Sequence, residues 1–123
     1  MTEHDIQNRL LMEISKRGDM TPFRVNVGMA WQGKASKVGR DVLIENPRPF
    51  KTGLPAGFPD VIIAHRTDNG CELIMLEIKT EKGRLSENQK KFLTFMRDNR
   101  NCRVKVCYGL QDGLDFINTI EKG

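Results

Sequence analysis

Apolar positions first recur at helical spacing. Ile6, Leu10 and Ile14 form one stripe among polar neighbours, which predicts an α-helix from about Glu3 to Arg17. Thr2 stands where an N-cap is needed, Asp5 at the third helical position and Gly18 where a helix can end. At about 100° per residue Glu3 falls close to Leu10 and Ile14, so it is expected to point inward with them. The period then drops to two. "FRVNVG", Phe23 to Gly28, predicts a first strand, and "DVIIAHR" (Asp60 to Arg66) and "CELIMLEIK" (Cys71 to Lys79) predict two more. The last two are joined through "TDNG", where Asn69-Gly70 is a strong hairpin signal. "SENQ", Ser86 to Gln89, has the capping-box pattern and opens a helix to about Asn99, with Phe92, Leu93 and Met96 inward. "CRVKVCYG" alternates again, and a short helix from Asp112 to about Glu121 follows. Between Met29 and Pro59 the pattern dissolves among glycines and prolines. That stretch reads as loop, with at most a short strand at Val42 to Ile44. A loop of such length in a compact domain is usually functional.

The resulting order, α-β-(loop)-β-β-α-β-α, predicts a single α/β domain over residues 1–123. The strand–helix–strand unit from Cys71 to Tyr108 should be a right-handed parallel crossover. At 38% hydrophobic and 29% charged residues, the composition is that of a globular domain and argues against disorder. No stretch approaches the roughly 18 apolar residues that span a bilayer, and the polar start "MTEHDIQNRL" argues against a signal peptide. Lys and Arg number 20 against 16 acids, a net charge of +4, which suits a polyanionic partner without requiring one. The excess is concentrated. From Gly33 to Lys51 the cations Lys34, Lys37, Arg40, Arg48 and Lys51 face only Asp41 and Glu45.

Cys71, Cys102 and Cys107 are odd in number, lack a C-x-x-C spacing and fall in predicted strands, so they are expected to be small buried thiols in a reducing compartment. With His4 and His65 far apart, no structural zinc site is expected. His4 is expected to be exposed and His65 to be a sheet residue rather than a base. Trp31 is expected to pack under the basic loop rather than stack on a nucleic-acid base.

Chemistry concentrates on the predicted hairpin. Glu77 and Lys79 lie two apart inside a strand whose neighbours are apolar. If Asn69 and Gly70 are the central turn residues, Asp60 faces Lys79 and Ile62 faces Glu77. If Asp68 and Asn69 are central, Asp60 faces Glu77 directly. Either register gathers Asp60, Glu77 and Lys79 on one face, at cross-strand spacings of roughly 4.5–8 Å. Two carboxylates that close repel, and one holds a proton unless a cation neutralises both. Paired carboxylates on rigid strands suit a hard cation such as Mg²⁺. Lys79 would then orient or help deprotonate an attacking water, or offset charge on a phosphate.

These residues resemble a known family. Pro59-Asp60 followed, after 16 intervening residues, by Glu77-Ile78-Lys79 resembles the PD-(D/E)XK nuclease signature. "GFPDVII", "LEIKTEKGRLSENQKKF" and the E-x-x-I-Q of Glu3 to Gln7 resemble the virus-type replication-repair nuclease (VRR-NUC) branch. The resemblance implies a restriction-endonuclease-like αβββαβ core with a central mixed sheet flanked by helices. It implies Asp60 and Glu77 as metal ligands, joined by the Ile78 carbonyl and by Glu3, with Glu13 as the alternative acid of the first helix. Lys79 becomes the catalytic lysine and Gln89 the motif glutamine, which also serves as capping-box partner of Ser86. Lys34, Lys37, Arg40, Arg48, Lys51, Lys82 and Arg84 would touch phosphates. The activity implied is Mg²⁺- or Mn²⁺-dependent DNA endonuclease, on branched DNA of the four-way-junction type. It would act as a homodimer, in DNA repair or phage replication, in the cytoplasm of a bacterium or phage-infected cell. A flap- or sequence-specific nuclease of the same fold and a non-catalytic DNA-binding module are the alternatives.

Overall fold

A computed structural model describes residues 1–25, 29–98 and 102–120. Asn26 to Gly28, Asn99 and Glu121, taken into the expected strand and helices, lie outside the described residues. Helix α1 runs Glu3–Ser15, and Thr2 caps it reciprocally with Asp5: the Asp5 amide donates to Thr2 Oγ1 at 3.1 Å, and the Thr2 amide to Asp5 Oδ2 at 3.0 Å. Its Ile6, Leu10 and Ile14 are all buried, as their spacing requires. Strand β1, Met20–Arg24, starts earlier than predicted. It is the edge of the main sheet, so Pro22, which lacks an amide donor, fits within it.

The main sheet is completed by β4 (Val61–Thr67), β5 (Gly70–Lys79) and β6 (Cys102–Tyr108), in the order β1-β4-β5-β6. β4 pairs antiparallel with both β1 and β5, while β5 and β6 run parallel with α2 (Glu87–Arg97) between them in sequence. The sheet is therefore mixed, as expected of the αβββαβ core. Thr67 pairs with Gly70, which makes Asp68 and Asn69 the central turn residues. Helix α3, Leu110–Thr119, packs on α1, where Gly113 lets the two helices approach: a Cβ there would lie 2.8 Å from both Leu10 methyl carbons.

β5 is the central strand that positions the site, and Ile74 to Ile78 are buried on both of its faces. Leu76 and Ile78 join the core of Ile6, Leu10, Ile14, Val61, Ile63 and Ile117. Glu77 points the other way, toward α2. His65 is likewise buried, 2% exposed, with Nε2 2.9 Å from Asp19 and Nδ1 2.7 Å from Glu72, which also binds Arg103. Burial alone would depress its pKa, but the bonds to Glu72 and Asp19 outweigh burial and hold the imidazole above its ordinary value. It is a structural ion cluster in the sheet, in keeping with the sheet role expected of it.

Three expectations are corrected. The stretch read as loop is a long hairpin, β2 (Met29–Val38) with β3 (Asp41–Lys51), a separate two-stranded sheet. Its alternation is hidden because both faces are solvated: from residue 30 to residue 51 every side chain is exposed except Ile44. A register shift at Gly33 and the left-handed Asn46 (φ 48°) break the period further. Trp31, expected to pack, is 56% exposed on β2. Cys71 is exposed and Cys102 half-buried, and only Cys107 is fully buried, its thiol pushed up to about 12 by burial and by nearby Asp112.

Candidate active site

The site lies where β4 and β5 emerge beneath α2. The register that pairs Val61 with Leu76 continues one step to place Asp60 opposite Glu77, the second of the two predicted alignments. Asp60 is anchored from behind, its Oδ2 accepting the Ile78 amide at 2.9 Å, while the Asp60 carbonyl accepts the Val25 amide at 2.8 Å. Glu77 is 1% exposed. Its Oε1 accepts from Gln89 Nε2 at 2.9 Å, while Oε2 is buried with no hydrogen-bond partner among the described residues. Lys79 Nζ stands 3.8 Å from Glu77 Oε1 and 3.8 Å from Glu3 Oε1.

Gln89 does two jobs at once. Its Oε1 accepts the Ser86 amide at 2.8 Å, and its own amide donates to Ser86 Oγ at 3.2 Å. The capping box therefore aims the other end of the same side chain at Glu77. The loop ahead of Asp60 closes on α2 through Gly57. A Cβ there would fall 2.3 Å from the Asn88 carbonyl oxygen, and its φ of +85° favours glycine. Phe58 and Phe92 add a tilted ring contact at 5.1 Å. Gly57→Ala is expected to force this loop away from α2, lowering stability by about 1–3 kcal/mol in urea titration.

The electrostatics follow from this geometry. Burial first, then the Asp60 carboxylate, push the Glu77 carboxyl from 4.5 up to about 8; Lys79 opposes the rise and Glu3 adds to it. Without a cation Glu77 keeps its proton at neutral pH. The orphan Oε2 beside a second carboxylate has only a proton or a cation to face, so the donor set fits a hard divalent ion. Among the described residues no third acidic, imidazole or thiol group joins the pair. Glu3 is not drawn in with the helix stripe; its side chain is 52% exposed, at the rim, against Lys79. Glu13 pairs with Lys16 at 3.0 Å instead.

A cleft of about 490 Å³ opens at Asp60, walled also by Glu3, Gln7, Gly57, Phe58, Ile78 and Gln89 among others, with Glu77 buried behind its lining. His4 is exposed as expected, yet it also lines this cleft. Asn88 lines it too, and sequence reasoning gave neither it nor Gln7 a role. Their signal was present: Gln7 closes the E-x-x-I-Q string and Asn88 sits inside the capping box. Lys82 and Arg84 are exposed between β5 and α2, close along the chain to Lys79. Lys34, Lys37, Arg40, Arg48 and Lys51 all lie on or between β2 and β3, apart from the carboxylate pair.

An aspartate that follows a proline at the start of one strand and a Glu-x-Lys on the facing strand of the same hairpin, within an αβββαβ mixed sheet, define the PD-(D/E)XK nuclease class. Within that class the chain belongs to the VRR-NUC family, whose domain model matches residues 1–111. Membership makes it a nuclease acting on DNA. Searches of curated proteins and of solved structures each found no match.

Proposed function

We propose that this nuclease is a divalent-metal-dependent endonuclease that hydrolyses phosphodiester bonds in branched DNA, working as a homodimer. The observation that carries the metal dependence is Glu77 Oε2, buried opposite the Asp60 carboxylate with no donor among the described residues. Asp60, Glu77 and the Ile78 carbonyl would hold Mg²⁺ or Mn²⁺, with Glu3 as the outer acid of the cleft. When bound, such an ion supplies Lewis-acid stabilisation of charge on the phosphate and lowers the pKa of the attacking water.

The chain's own residues do the rest. Gln89 fixes Glu77 by one oxygen and leaves the other free. Lys79, held between Glu77 and Glu3, presents an ammonium to the charge that develops on the phosphate. Lys82 and Arg84, exposed and close along the chain to Lys79, would take neighbouring phosphates. Pairing of two copies would enlarge the footprint of a small basic domain and set two sites on one branched substrate.

Labelled four-way junction, flap and supercoiled plasmid compared side by side in Mg²⁺ test this reading. The junction should be cut fastest by wild type and not by Asp60→Ala, and calorimetry with Mn²⁺ should show binding that Asp60→Ala loses. Cleavage confined to one short duplex motif would exclude branched selectivity. Absence of Mn²⁺ binding by the wild type would exclude the metal site.

A further inference from the structure

We propose that the β2–β3 ribbon is a DNA-grasping arm that lies lengthwise in a groove of the duplex, its two faces turned to the two phosphate strands. The proposal rests on the nuclease reading and adds the means by which this chain holds duplex beside the cut. Among the described residues the ribbon pairs with no strand of the main sheet. At 10 and 11 residues its strands reach roughly 30 Å, and a two-stranded hairpin alone in water is marginally stable, so its length calls for a partner.

Along the chain its ends adjoin residues of the cleft. Val25, whose amide binds the Asp60 carbonyl, precedes Met29 by only a few residues, and Lys51 leads by a short segment to Gly57 and Phe58 in the cleft wall. The ribbon is therefore tethered within a few residues of the cleft lining at both ends. Its charge is arranged on both sides. Lys34 and Lys37 are three apart in one strand and so emerge on opposite faces, as do Arg48 and Lys51 in the other, while Arg40 sits in the turn. Only Asp41, beside the turn, and Glu45, paired across from Lys34, offset them.

Cations on both faces suit a slot with two anionic walls. The major groove, about 12 Å wide, admits a two-stranded β-ribbon between its phosphate strands. A flat acidic surface would meet only one face, and a second copy of the ribbon would bring like charges together. Trp31 and Phe50, 56% and 50% exposed near the root, supply apolar contacts to bases or sugars. Pro47 and Pro49 keep the exposed strand from recruiting another chain.

Trp31 is the only tryptophan of the chain, so its emission reports on the ribbon directly. Titration with a plain duplex in EDTA should quench or shift that emission at the midpoint given by anisotropy of the labelled DNA. K34A/K37A/R40A should weaken binding at least tenfold and reduce the salt slope by about 2–3, each phosphate contact contributing about 0.9. K34R/K37R should bind as wild type, which separates lost charge from lost folding. Unchanged Trp31 emission at saturation, or wild-type affinity and slope in the triple variant, would overturn the arm. So would a triple variant that sediments as a smaller species, since the ribbon would then join subunits. Mg²⁺-dependent hydrolysis of bis(p-nitrophenyl) phosphate by the wild type should vanish in Asp60→Ala, which tests the nuclease reading apart from the ribbon. Its absence in wild type would count against the nuclease reading, while the Trp31 titration still decides the arm.

Discussion

Lys79→Ala is expected to lower the rate of Mg²⁺-dependent DNA cleavage by about 10²–10³, the usual cost of removing one charge-stabilising donor from a preorganised site. The side chain is 12% exposed and held at 3.8 Å from both Glu77 and Glu3, so its ammonium cannot swing away to solvent and lose alignment. Most of the loss should fall on kcat, because in the proposed role Lys79 would act on charge that appears only as the phosphate reacts. Lys79→Arg should recover little, since the planar guanidinium neither fits the slot nor reproduces a point charge. Single-turnover cleavage of labelled junction at saturating enzyme measures the effect. Wild-type rates in Lys79→Ala would remove this residue from the chemistry.

Glu77→Gln should stabilise the metal-free protein at pH 8 and above while abolishing cleavage. The folded Glu77 carboxyl titrates at about 8 against an ordinary value of 4.5, chiefly through burial. A carboxyl raised on folding contributes stability fully below about 4.5 and loses it as pH rises through about 8. The wild-type melting temperature should therefore fall across that window. Glutamine stays neutral: its carbonyl can still accept from Gln89, and its NH₂ can face Asp60. Its curve should be flatter, crossing above wild type by several degrees at pH 8–9, each kcal/mol being worth roughly 4 °C in a domain of this size. Mg²⁺ should reverse the wild-type trend, because at the proposed site it would bind the ionised pair and so stabilise more as pH rises. The variant should not respond to Mg²⁺. Scanning calorimetry at several pH values with Mg²⁺ or EDTA checks both halves. A wild-type curve flat from pH 5 to 9 without metal would show that Glu77 is not held in this environment.

The parts legible in the sequence were those in which one pattern had one cause. Ile6, Leu10 and Ile14 repeat at helical spacing because a single face of α1 is dry. "SENQ" was readable because the capping box closes within four residues. The β4–β5 turn left two registers open, and only pairing along the whole hairpin chose the one that sets Asp60 against Glu77. The ribbon was not legible, since strands solvated on both faces have no reason to alternate. The His65 cluster escaped for another reason: Asp19, Glu72 and Arg103 meet it from separate segments.

Local order thus belonged to the sequence: the helix stripes, the caps, the order of elements, and an acid–lysine motif within an apolar strand. These depend on neighbours within a turn or two, where spacing alone decides which side chains share a face. Tertiary structure decided what that motif became. It buried Glu77 under α2, bonded one oxygen to Gln89 and left the other without a donor, and set Glu3 rather than Glu13 beside Lys79. Proton affinity in a carboxyl depends on the water and charge around it, and those come from strands and helices far apart along the chain.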